Sequence, residues 1–260
     1  MTTIQFLKNY RIYAAEARYH TANIYLRELE SVSNSNTQKL MMIRIIEELA
    51  AATEDLSMWL VAVSERNEIK NKKLDLWEIL LLTFIRENEE DYTSKNLNKF
   101  LILKKPKALL KKLDLFSIDI LAKNSNMSIS DVEKGLKELL FSIKTSIDNR
   151  RVAKGILVRA QAKIKHGMMV NLDAKDINNL WIRDLKLGKG KRKINRYYDT
   201  QINVIKAKKM VGTIRGISQS IQLIIDLVLA DFEYRLVDGQ LKVKAKTKKA
   251  LLDDLHKPDF

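Results

Sequence analysis

The chain has no cysteine. That absence excludes a disulfide framework, thiolate catalysis and thiolate zinc sites together. Histidine is almost as scarce. His20, His166 and His256 stand far apart in the sequence, so neither an all-protein transition-metal site nor any other cofactor is expected. Only two prolines occur, Pro106 and Pro258, with eight glycines, and so few breakers let long helices persist. Long apolar runs are missing too. The most apolar stretches, 74–85 and 221–232, are interrupted by Asp75, Glu78, Gln222, Asp226 and Asp231. Neither reaches the roughly 20 clean residues of a membrane span. The first ten residues lack the basic-then-apolar pattern of a secretory signal, so a cytoplasmic protein without a membrane partner is expected.

What is present is a globular composition, 46% hydrophobic with 30% charged residues, and a net charge of +15. Such a surplus draws polyanions, nucleic acid foremost. A sequence rich in Lys, Ile and Asn together also arises from AT-rich coding without selection for binding, so the placement of the charge matters more than its total.

Apolar spacings of three, four and five predict a helix from Thr2 to about Val32 through Ile4, Leu7, Ile12, Ala15, Tyr19, Ala22, Leu26 and Leu29. Ser33-Asn-Ser-Asn36 breaks it, and Thr37 is the expected cap of a second long helix reaching about Asn67. A third helix is expected over 74–89. The stretch 91–115 reads as a connector with small helices, and 116–123 as another short one. Ser130-Asp-Val-Glu133 matches a capping box at the head of a helix running to about Val170. After a break at Leu187-Gly-Lys-Gly190, a last helix is expected from about Asn195 to Leu236. A strand is expected nowhere, apart from a small hairpin over 234–243 turning at Asp238-Gly239.

Three constellations could carry function. The first is electropositive: Lys186, Lys189, Lys191, Arg192, Lys193 and Arg196 surround two glycines, with Tyr197 and Tyr198 next and Lys206, Lys208, Lys209 and Arg215 beyond. Amines there could meet phosphates while tyrosines stack on unpaired bases. The alternative is a solvated basic loop ahead of a helix with buried tyrosines. The second, residues 120–140, resembles a DNA-reading helix-turn-helix. Its turn is long and polar, and Asp131, Glu133 and Glu138 would repel phosphate, so it reads as a plain helical corner.

The third is Arg159-Ala-Gln-Ala-Lys-Ile-Lys-His166-Gly167. Seven positions span almost two helical turns, which would place Arg159 and His166 on nearly one face. Histidine titrates near neutrality and can move a proton at the 2′-hydroxyl or the leaving 5′-oxygen of RNA. Arginine can hold the scissile phosphate. RNA brings its own nucleophile, so this chemistry requires no metal. The alternative is a histidine capping a helix end beside Gly167. His20 reads as structural, and His256 carries no role.

This Arg–His spacing late in an α-helical chain, with its Lys-Ile-Lys-His-Gly ending, resembles the HEPN superfamily of helical RNases and RNA-binding domains. Ala160 stands where that family usually carries a polar residue. The resemblance implies Arg159 and His166 as catalytic residues, a composite site between two protomers, and a toxin or defence role with a paired antitoxin as one form of partner.

The expectation is therefore an all-α multi-helix bundle with two long N-terminal and two long C-terminal helices. One domain should cover 1–236, with 91–128 the place where a subdivision would fall, and a basic tail should follow over 237–260. RNA is favoured over DNA, as a metal-independent endoribonuclease acting as a homodimer. Lys163 and Lys165 would assist Arg159 and His166 on phosphate, while Lys189, Lys191, Arg192, Lys193, Arg196 and Tyr197 track the strand. The competing reading is a non-catalytic basic helical scaffold for nucleic acid or a protein partner. A membrane-surface protein ranks last, because no helix joins a basic face to exposed bulky aromatics.

Overall fold

The computed structural model describes residues 3–66, 75–90, 99–100, 102–151, 170–171, 180–187 and 194–237. It is an α-helical bundle, as the periodicity predicts. Its helices are α1 (Thr3–Tyr13), α2 (Ala17–Ser31), α3 (Ser35–Glu65), α4 (Leu76–Glu90), α5 (Pro106–Lys112), α6 (Ile118–Asn124) and α7 (Ile129–Arg151), with α8 (Val204–Val237) closing the order.

Helix α3 is the axis. From Ile45 to Val63 nearly every turn is closed on several sides, and Ile45, Ile46, Leu56, Leu60 and Val63 are buried. It packs against α2, α4, α7 and α8, while α8 packs on α1, α2, α6 and α7 as well. One continuous apolar core therefore runs from Leu7 in α1 to Ala230 in α8. Four hydroxyls inside it are satisfied locally: those of Thr53, Ser57, Thr83 and Ser220 each donate to the carbonyl four residues back. Gly135 lets α7 approach α8 closely, since a Cβ there would stand 3.0 Å from Leu223 Cδ2.

Several boundaries differ from the expected ones. The first long helix is two, broken at 14–16, where the amides of Ala14 and Ala15 both donate to the carbonyl of Tyr10. The break turns α1 so that Arg11 reaches Asp226 of α8 (Nε to Oδ1, 2.6 Å). Thr37 is not the cap of α3. Asn34 is, its Oδ1 accepting the amides of Asn36 and Thr37 at 3.0 and 3.1 Å. The capping box of α7 likewise sits two residues early: Ser128 Oγ accepts the amide of Asp131 and donates to its carboxylate. Both substitutions follow from the same physics, because any Ser, Thr, Asn or Asp near a helix start competes for the orphan amides.

The larger difference lies before α8. Residues 195–202, expected to begin the last helix, are strand. A three-stranded antiparallel sheet has the order β1 (Val170–Asn171), β2 (Leu180–Leu187), β3 (Ile194–Ile202). Val170 is thus strand and not the end of the preceding helix, of which the described part stops at Arg151. Ile202 anchors the sheet in the bundle core. Asn203 then caps α8 by accepting the amide of Lys206. At the other end α8 continues through Tyr234–Val237, replacing the first arm of the expected hairpin. The 29 residues Val204–Phe232 are long and apolar enough to cross a membrane, but 56% of the helix's most apolar window is buried inside the bundle, as expected of a core helix.

Candidate nucleic-acid interface

Strands β2 and β3 pair along their whole length, with Leu180 opposite Ile202 at the bundle end and Arg183 opposite Asp199 midway. Beyond them Leu185 pairs with Tyr197, and Lys186 with Arg196. The register then shifts, Leu187 pairing with Ile194, so Asn195 is the extra residue of a bulge. Two cations thus hold directly opposed positions at the far end of the ribbon. Like charges placed opposite each other destabilise a strand pair. Basic ribbons of two strands are an established form for entering a nucleic-acid groove.

Of the residues singled out in the sequence, Arg196 and Tyr197 lie on β3, not on a helix. Lys189, Lys191, Arg192 and Lys193, which separate the two strands in sequence, lie outside the described residues. So do Arg159, Lys163, Lys165 and His166, and with them the relation of the arginine to the histidine. The pairing of Lys186 with Arg196 could not be read from the chain, where the two are ten positions apart in a segment of helical spacing.

Two further polar groupings occur in the bundle. Arg18 donates through Nε to Asp55 at 3.1 Å and through Nη1 to Glu48 at 3.4 Å. Burial pushes the Asp55 carboxyl above its ordinary value, with Arg18 pulling the other way. Burial alone would lower Arg18, yet Asp55 and Glu48 together hold it raised. Both are raised, which disfavours the charge on the acid and favours it on the base, and Asp55 is the more deeply placed of the two, since the Arg18 side chain is 44% exposed. Nearby, Tyr10 is raised, chiefly by burial against the hydrogen bond it shares with Trp59. Phe6, Tyr10 and Trp59 form an aromatic cluster with ring centres 5.0–6.2 Å apart. This grouping joins α1, α2 and α3 and acts as structure.

His20 is exposed on α2, 3.3 Å from Glu16 and one turn after it, consistent with a surface pair. Among the described residues, no three His, Asp or Glu side chains gather where they could hold a metal ion. The cationic side chains of α8 are the other electropositive feature: Lys206, Lys208, Lys209 and Arg215 are all exposed. No protein-family model matches the chain, and no curated protein or solved structure does either.

Proposed function

We propose that this chain binds RNA through the basic end of the β2–β3 ribbon and is a candidate metal-independent endoribonuclease. The observation that carries the binding half is the register of Lys186 opposite Arg196, with Lys189, Lys191, Arg192 and Lys193 supplied by the six residues between the strands. Six cations in eleven residues concentrate charge where a bound phosphate relieves their mutual repulsion. Tyr197, next to Arg196, adds a ring on which a base can stack.

The cleavage half rests on sequence. Arg159 would hold the scissile phosphate, aided by Lys163 and Lys165, and His166 would transfer the proton at the 2′- or 5′-oxygen. This preference for RNA over DNA follows from the 2′-hydroxyl, the nucleophile that RNA alone provides. The HEPN resemblance extends the proposal to a cytoplasmic homodimer of toxin or defence type, balanced by an antitoxin partner.

The test is cleavage of labelled single-stranded RNA in EDTA by the wild type, His166→Ala and Arg159→Ala, with binding measured beside it for Lys186→Gln/Arg196→Gln. Cleavage leaving a 2′,3′-cyclic phosphate, lost in both single variants while they stay folded, supports the full reading. Salt-dependent binding without cleavage, weakened only by the ribbon variant, reduces the protein to a basic helical binding scaffold. Binding that the ribbon variant leaves unchanged removes the ribbon from the interface.

A further inference from the structure

From Val204 to Ile225 helix α8 contains no Asp or Glu, while its exposed positions in that stretch include Lys206, Lys208, Lys209 and Arg215. One of these is partly neutralised, Lys208 Nζ lying 2.6 Å from Glu30 of α2. Lys209 makes no ion pair among the described residues. The Arg215 guanidinium lies over the Tyr19 ring, 5.8 Å from its centre. A ring face steadies an arginine through its π-electrons and leaves the N–H donors available for an anion.

Between these cations stands Gly212, exposed, one turn after Lys208 and nearly one turn before Arg215. A Cβ built there would meet nothing within 4 Å among the described residues. Packing therefore does not require a glycine, and glycine is a poor residue for a helix interior. What it leaves is bare helix backbone in the middle of a cationic face, where another chain can come close. Lys209 and Arg215 are separated along the axis by about 9 Å, so they would engage separate phosphates.

We infer that the amino-terminal half of α8 is a second phosphate-binding surface of this protein, one that seats the backbone of single-stranded RNA over Gly212 between Lys209 and Arg215. The inference rests on the RNA-binding reading and extends it: β3 runs into α8 through Asn203, so one strand can pass from the ribbon to the helix. Each phosphate neutralised on a single strand adds about 0.7 to the salt slope, so this pair accounts for about 1.4, or about 25-fold in affinity at about 0.1 M salt.

The test uses full-length protein and a fluorescent 2′-O-methyl RNA of about 20 nucleotides, which cannot be cut, titrated over roughly 0.05–0.4 M salt. Lys209→Gln/Arg215→Gln is expected to lower the slope by about 1.4 and weaken binding about 25-fold at about 0.1 M salt. Gly212→Glu is expected to melt at a higher temperature and yet bind less tightly, a combination that misfolding cannot produce. Gly212→Ala should gain the stability and keep the slope. A wild-type slope in the double variant, or wild-type affinity in Gly212→Glu, overturns the α8 surface. If Lys186→Gln/Arg196→Gln weakens binding in the same titration, the ribbon reading survives that failure. Wild-type protein that does not bind overturns both.

Discussion

Arg66 and Asp231 form a buried ion pair whose removal should separate two effects that are commonly confused. Arg66 closes α3, Asp231 lies in α8, and their side chains are 9% and 2% exposed with Nη2 and Oδ2 3.2 Å apart. The same Nη2 donates to the carbonyl of Asp114 at 2.8 Å, and Asp231 Oδ1 accepts the amide of Phe116. One pair therefore ties together α3, α8 and the segment ahead of α6. At that separation the Coulomb attraction is about 5 kcal/mol with an effective dielectric constant near 20. Desolvating each ion costs several kcal/mol, so the pair as a whole contributes little. Removing one partner is different, because the other charge stays buried. Arg66→Met should cost about 3–5 kcal/mol, or roughly 6–20 °C in melting temperature for a chain of this size. In Arg66→Met/Asp231→Leu no stranded charge remains, although the Asp114 carbonyl and the Phe116 amide lose a partner. The double variant should therefore recover about 1–3 kcal/mol relative to Arg66→Met. Urea denaturation of wild type, both single variants and the double variant measures the cycle. A loss under about 1 kcal/mol in Arg66→Met, or a double variant no more stable than that single one, would refute the reasoning.

Two further outcomes follow from local geometry. Asn34→Ala removes the acceptor of two α3 amides and should cost about 1 kcal/mol in denaturant unfolding, whereas Asn34→Asp should stay within a few tenths. A Thr37→Ala change that costs more than Asn34→Ala would show the cap to be misplaced. Asp55 is held above its ordinary value of 3.8 by burial, against the pull of Arg18. The folded protein then binds more protons than the unfolded chain between the two values, so the contribution of Asp55 to stability falls as pH rises through that window. Asp55→Asn should flatten this part of the stability–pH curve, measured by urea midpoints across acidic pH. An unchanged curve would place the titration elsewhere.

Helix α3 was legible because apolar positions recur on one helical face from Leu40 to Val63, roughly six turns, and a polar break precedes it. Its cap was not, since Asn34 and Thr37 are both good caps and only the backbone path chooses between them. The break at 14–16 left no mark, because Tyr13-Ala-Ala-Glu16 is compatible with a continuous helix. Strand β3 was missed for a different reason. Ile194, Tyr198 and Ile202 are four apart, a spacing that satisfies one face of a helix and one face of a strand equally. Arg159 and His166 were legible as a motif, and both lie outside the described residues.

Composition and periodicity were enough for the helical class of the fold, for α3 as one long amphipathic stretch, and for the sign of the net charge. These depend on composition and on periodicity within one segment, which no partner can alter. The tertiary structure alone decided that 194–202 pairs with 180–187 as strand, that Arg66 meets Asp231 across 165 positions, and that Lys186 stands opposite Arg196. A strand's hydrogen bonds, and a buried charge's partner, lie in other segments, and their free energy exists only once those segments have come together.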